Sequence, residues 1–333
     1  MKVGKGFNKS ALLKIALVIT LVVVIYIITP NYFTFTNILN VFSQGASIGI
    51  MAIGMTIVIL MGEIDISVGS IMYLSGVLGL LAYTATNNNT LIGVLTTLGV
   101  GLACGALNGF GVAFLKIPSM IITLGTLSIF AGSAGLLIPE GGVIMAKEGT
   151  WTAIASTKLL GMPSNVYIYI AVFLIFAFVV RGTRYGRMVF ALGDNADALR
   201  ASGINPNKIM IITYSLCGLL CGMASILATS RLGYTLYSHS MGNEVYAIAA
   251  VVVGGTSMTG GKSSYWGTFI GAFMVASLDN LLRLTNVNAY IYNTVWGALI
   301  IIVVAADAIS TIAREKAESR FMKLRRQEES SAS

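Results

Sequence analysis

Residues Gly45–Tyr83 read GASIGIMAIGMTIVILMGEIDISVGSIMYLSGVLGLLAY. Two uncharged apolar runs, Gly45–Met61 and Ser67–Tyr83, flank a joint that holds Glu63 and Asp65. Each run approaches the roughly 20 residues that cross a hydrocarbon core. Lipid offers no partner to a backbone N–H or C=O, so a crossing segment must be a helix or a strand of a closed barrel. Barrel strands alternate apolar and polar residues, and these runs do not. The stretch therefore reads as two membrane helices joined by a short polar turn.

The same pattern extends in both directions. Ten spans are expected: Ala11–Thr29, Gly45–Met61, Ser67–Tyr83, Leu91–Leu115, Met120–Ile138, Val166–Val180, Met210–Thr229, Val245–Met258, Trp266–Leu282 and Ala289–Ala306. The composition agrees, with 56% hydrophobic and 10% charged residues, against about 25% charged for a soluble domain. A soluble globule this apolar would expose more greasy surface than it could bury. The reading is an all-α membrane protein of about ten transmembrane helices. It has one membrane domain over residues 1–308 and a charge-mixed, Ser-rich tail over 309–333.

Basic residues orient it. With the N-terminus inside, only Lys147, Lys158, Arg231 and Arg283 of the 21 Lys and Arg fall outside. The other seventeen fall inside, among them Lys116, Lys262 and the group from Arg181 to Lys208. Both termini are thus expected in the cytoplasm. The first span has four lysines at or before its start, Lys2, Lys5, Lys9 and Lys14, but precedes Pro30, Tyr32 and Phe33 rather than a small-residue cleavage site, so it reads as an uncleaved helix. The net charge of +8 is a topology signal, and no nucleic-acid partner is expected. Cys104, Cys217 and Cys221 fall within spans, and the one histidine, His239, lies in an outer loop. The cysteines read as packing residues, with no metal site.

Two polar segments carry the functional information. In the joint Gly62–Gly69, Asp65 or Ser67 can accept hydrogen bonds from the first free N–H groups of the next helix, and a carboxylate suits that end of the helix dipole. A proton or cation site, or a pore-lining turn built from Glu63, Asp65, Ser67 and Gly69, is the functional alternative. A second Gly-rich joint, Gly254–Lys262, weakly echoes the first. Its Gly260-Gly261-Lys262-Ser263 is not a phosphate loop, because the motif needs a glycine where Thr256 stands. It reads as a tight interhelical turn.

The other segment is the inner loop 181–209, RGTRYGRMVFALGDNADALRASGINPNKI. Its middle predicts a short helix, with Asp194 as N-cap, Asp197 at the capping-box position, and Gly203 and Pro206 ending it. About two turns of helix are marginal alone in water, so this helix needs a surface. That surface is either its own membrane domain or a partner, for which Leu199 and Ile204 offer apolar anchors.

The loop resembles the cytoplasmic loop of permease subunits of bacterial ABC sugar importers of the ribose/galactose/xylose type. The matching text is Thr183-Arg184-Tyr185-Gly186-Arg187, Ala191-Leu192-Gly193-Asp194-Asn195, Ala198 and Ser202-Gly203-Ile204-Asn205. Further matches are Glu63–Gly69, Ile117-Pro118-Ser119, Thr123-Leu124-Gly125-Thr126 and Val252–Thr256 with Gly260-Gly261. Where many relatives read Gly-Gly-Ile-Asp, this chain has Gly62-Glu63-Ile64-Asp65.

The resemblance implies a fold like the larger, type II-like importer permeases, in a bacterial inner membrane. It implies a second permease copy or sister permease, and a periplasmic or lipid-anchored sugar-binding protein. It also implies a separate ATPase that holds the ATP and Mg, so that this chain has no cofactor and no enzymatic activity. The short helix would be the coupling helix, with Asp194, Asn195, Ala198, Leu199, Arg200, Ser202, Gly203 and Ile204 at the ATPase interface. Two other readings remain. One is an ion-driven secondary transporter titrating Glu63, Asp65 or Asp279. The other is a permease of the same importer class for branched-chain amino acids or nucleosides.

Overall fold

A computed structural model describes residues 27, 29–138, 143–146, 149–236 and 242–285, with isolated positions between 294 and 305. Apart from those isolated positions and residues 27 and 29, the first and tenth expected spans lie outside the described residues, as do the tail 309–333, Lys147 and His239. The chain divides into Thr29–Asn286 and a second unit of Met1–Ile28 with Val287–Ser333. The elements below belong to the first.

Eleven helices are labelled in order: α1 Phe35–Leu60, α2 Val68–Ala85, α3 Thr90–Ala113, α4 Ser119–Leu136, α5 Thr150–Ser156, α6 Ser164–Gly182, α7 Arg184–Asp194, α8 Ala196–Ala201, α9 Pro206–Leu232, α10 Asn243–Val253 and α11 Tyr265–Leu284. Four two-residue strands accompany them: β1 Ile144–Met145, β2 Lys158–Leu159, β3 Met162–Pro163 and β4 Tyr234–Thr235. β1 pairs antiparallel with β4, and β2 with β3.

Among the described residues six helices are long and apolar enough to cross a membrane: α1, α2, α3, α4, α6 and α9. The eighth expected span is corrected. Its helix stops at Val253 after 11 residues, about 16 Å at 1.5 Å per residue, too short for a core of about 30 Å. Gly255 takes φ +91°, and the N–H groups of Gly255 and Thr256 turn back to Val252 and Val251. That is a Schellman stop, and it leaves Gly254–Met258 outside the helix.

α1 sits at the centre. Its residues from Gly45 to Leu60 are all buried, as expected of a helix that is apolar all round. It packs against α9, α11, α10 and α6. The most extensive pairing joins α3 to α9, and glycine explains it. A Cβ on Gly105 would collide with the Tyr214 carbonyl oxygen, and one on Gly109 would stand 2.9 Å from the Ile211 Cα. A Cβ on Gly218 would reach 2.9 Å from the Gly105 Cα. Small residues at this spacing let helix backbones touch where lipid supplies no hydrophobic drive. Cys104, Cys217 and Cys221 are free and buried around this seam, as packing residues.

α3, α4 and α6 turn large apolar side chains outward, including Leu95, Phe110, Ile121, Leu124, Leu174 and Phe178. Water would penalise such a surface, whereas lipid accommodates it. At the end of the bundle where α6 begins, α5 packs into the helices despite the polar composition around it. Trp151 on α5 is fully buried, 5.4 Å from the Tyr83 ring, and its Nε1 donates to Thr229. Ser230 Oγ donates to the Trp151 carbonyl oxygen.

Candidate functional site

The opposite end of the bundle collects the polar joints. α6 ends at Gly182, and Thr183 caps α7 by accepting from the Gly186 N–H. The sequence reading does not anticipate α7, an 11-residue helix burying Gly186, Val189 and Leu192. Asn195 then caps α8, accepting from the N–H groups of Asp197 and Ala198 at 3.0 Å. Asp194 is therefore the last residue of α7, and the cap lies one position further on. Asn205 caps α9, with Pro206 in its first turn. Three side-chain caps thus fix the bends of the loop.

α8 closes on itself. Gly203 takes φ +80°, its N–H bonds the Arg200 carbonyl, and the Ile204 N–H bonds the Leu199 carbonyl. This Schellman geometry usually brings together the side chains at the positions of Leu199 and Ile204. It changes the reading of Leu199, which faces its own domain rather than outward. Leu199 is only 5% exposed, Ile204 is half-buried, and α8 leans on α7 and α9. Asp194, Asn195, Asp197, Ala198, Arg200, Ser202 and Gly203 are exposed. The short helix therefore does both things open to it. Leu199 seats it on its own domain, and a small, polar face remains outward.

The joint Gly62–Gly69 lies beside this loop. α1 ends with Gly62 at φ +81°, and the Glu63 N–H turns back to the Val58 carbonyl. Glu63 is half-buried. Asp65 is fully buried. Its Oδ1 accepts from the Ser67 N–H at 2.9 Å and the Ser67 hydroxyl at 2.6 Å. Asn108 Nδ2, from α3, donates to Ser67 Oγ at 2.7 Å and stands 3.5 Å from both Asp65 oxygens. Burial pushes the Asp65 carboxyl up, and the bonds from Ser67 and Asn108 pull it back. Asp65 thus organises the entry to α2. The Ser67 side chain makes no cap bond to the helix, and Gly69 is buried in the first turn. Asn108 is a site residue the sequence reading missed. Its signal was a lone amide in an otherwise apolar span.

Replacing Asp65 with Ala would strand the buried Ser67 donors, a cost of about 1–3 kcal/mol. Asp65→Asn keeps an acceptor. Thermal unfolding in detergent is expected to show a clear loss for the first and a smaller one for the second.

The second Gly-rich joint completes the site. Ser257 and Lys262 close a tight turn through the Ser257 N–H and the Lys262 carbonyl, and the Gly261 N–H donates to the Leu60 carbonyl at 3.0 Å. A Cβ on Gly260 would stand 2.9 Å from the Gly62 nitrogen and 3.1 Å from the Gly193 oxygen. One on Gly193 would collide with the Leu60 oxygen and stand 2.7 Å from the Gly261 nitrogen. Ser119, at the start of α4, accepts from the Ile64 N–H at 3.4 Å. The end of α1, the 257–262 turn and the end of α7 therefore meet backbone to backbone. Motif stretches far apart in sequence converge on one end of the bundle, with α8 immediately beyond.

A family model described as the branched-chain amino acid transport system / permease component matches residues 37–304. The chain belongs to that permease family. Among its relatives, the ribose import permease RbsC of Escherichia coli is 39% identical over 309 residues, covering 90% of this chain and 95% of that protein. The D-allose permease AlsC of Escherichia coli is 33% identical over 283 residues, covering 85% and 86%. The L-arabinose ABC transporter permease AraH of Azospirillum brasilense is 30% identical over 300 residues, covering 90% and 87%. No solved structure matches the chain. The match to the permease family includes both Gly-rich joints and the whole α7–α8 loop.

Proposed function

We propose that this permease is the membrane subunit of an ATP-driven importer that carries a monosaccharide across a bacterial inner membrane. The outward polar face of α8 carries the reading. A capped, self-terminating helix that is anchored by Leu199 and exposes its other side suits a groove on a separate ATPase. That partner would hold ATP and Mg, and this chain would hold neither. Pairing with a second copy or a sister permease, and a sugar-binding protein at the opposite end, complete the assembly. The basic residues support a cytoplasmic position for the α8 end and for both termini.

Relatives for ribose, D-allose and L-arabinose support a sugar cargo, although the family description names branched-chain amino acids. Two of the three carboxylates named for an ion-driven mechanism are already engaged. Asp65 is held by Ser67 and Asn108, and Asp279 pairs with Arg283 at 2.8 Å. In alternating access, a ligand shifts the two states only by its differential affinity for them. ATP supplies that difference through the partner, and the binding protein supplies selectivity.

The test is uptake of labelled pentoses and hexoses into vesicles containing the permease, its ATPase and its binding protein. Vanadate is expected to abolish uptake, and collapsing proton and sodium gradients to leave it unchanged. Uptake that survives vanadate and follows an ion gradient would overturn the reading.

A further inference from the structure

The β2–β3 hairpin, at the end of the bundle away from α8, is built against local preference. Lys158 pairs with Pro163 and Leu159 with Met162, which leaves a two-residue turn of Leu160 and Gly161. Both have positive φ, +47° and +82°. Such turns favour Asn-Gly. Elsewhere the chain follows that preference, with Asn87 and Asn88 at φ +53° and +62° between α2 and α3. Lys116, at φ +57°, spends its side chain on a bond to Asn207. Leu160 sits in the strained region and is 97% exposed, beside Leu159, which is also exposed. Backbone strain held at a solvent-facing apolar tip points outward, to something the tip touches.

The root of the hairpin shows what that is. Tyr167 Oη donates to the Leu159 carbonyl at 2.9 Å. Tyr167 shares one face of α6 with Ile170, Leu174 and Phe178, spaced three, four and four residues apart. The last three are exposed and apolar. A tyrosine at the end of a lipid-facing stripe marks the membrane–water boundary. The hairpin is bonded to that marker, with Lys158 exposed on its first strand.

We propose that Lys158–Pro163 is an interfacial membrane anchor. Leu159 and Leu160 seat between headgroups and acyl chains beside α6, and Lys158 faces lipid phosphates. The experiment uses Leu160→Cys in the full chain, whose three native cysteines are buried, labelled with an environment-sensitive dye. The chain is placed in phosphatidylethanolamine/phosphatidylglycerol vesicles that carry a shallow brominated lipid. Quenching by the lipid is expected to exceed quenching by aqueous iodide about two-fold or more. Stronger iodide quenching would overturn the proposal, and so would quenching by neither agent, which would place the tip under a second permease copy. A second variant moves the dye to Leu159→Cys and adds Leu160→Asn, which fits the turn better. Loss of lipid quenching with the hairpin intact supports anchoring, and unchanged quenching refutes it.

Discussion

Gly193→Ala is expected to cut sugar uptake severely while leaving the membrane helices folded. The methyl group would enter the space between the Leu60 oxygen and the Gly261 nitrogen, which bond each other at 3.0 Å. Both obstacles are backbone, so no side chain can rotate away. α7 must withdraw or the bond must break, at a cost of about 2 kcal/mol or more. Either response separates α8 from the end of α1 and from the 257–262 turn. Movement imposed on α8 would then no longer reach the central helix. Uptake is expected to fall about tenfold or more, with ATP hydrolysis by the associated ATPase falling less. Gly203→Ala is the control. Nothing lies within 4 Å of its added carbon, so the cost is only the left-handed backbone, about 1 kcal/mol, and Gly203→Asn should recover most of it. If Gly193→Ala transports as well as Gly203→Asn, the backbone junction does not carry the coupling.

That junction shows what a sequence can disclose. The stops of α1 and α8 were legible as Gly62 and Gly203, because a helix end is a local event. Pro206 was read only as ending the short helix, whereas Asn205 and Pro206 also open α9, four residues before the expected span at Met210. The displaced cap of α8 was not legible, since Asp194 and Asn195 are both good caps. The choice between them depends on α7, whose position is fixed by Gly193 fitting against Leu60. Leu199 misled for a related reason. An apolar residue in a charged loop reads as exposed until α7 and α9 close over it. The eighth span failed because hydropathy ignores the Schellman glycine that ends α10 midway. Asp65 was legible as a helix-entry residue, whereas its Asn108 partner, 43 positions away, depends on how α3 packs.

The packing of α3 decides the remaining large effect. Gly105→Val is expected to prevent stable folding, with little protein recovered from membranes and a sharply lowered melting temperature in what remains. The first carbon of the new side chain would already collide with the Tyr214 oxygen and stand 3.1 Å from the Gly218 Cα. Its two methyl groups add volume in a seam that has none. The helices must part, which costs about 3 kcal/mol or more where overpacking meets backbone, and the close contacts at Gly101 and Gly109 go with it. The consequence reaches the site. Asn108 lies on the same helix, three residues on, and reaches Ser67 at 2.7 Å. Moving α3 outward removes that donor from the Asp65 turn and loosens the entry to α2. Gly99→Val separates this from a general intolerance of α3 to β-branched residues. It lies on the same helix with nothing within 4 Å of its added carbon, so its melting temperature should stay near wild type. Equal losses from the two variants would mean that helix propensity, not the α3–α9 seam, governs this part of the fold.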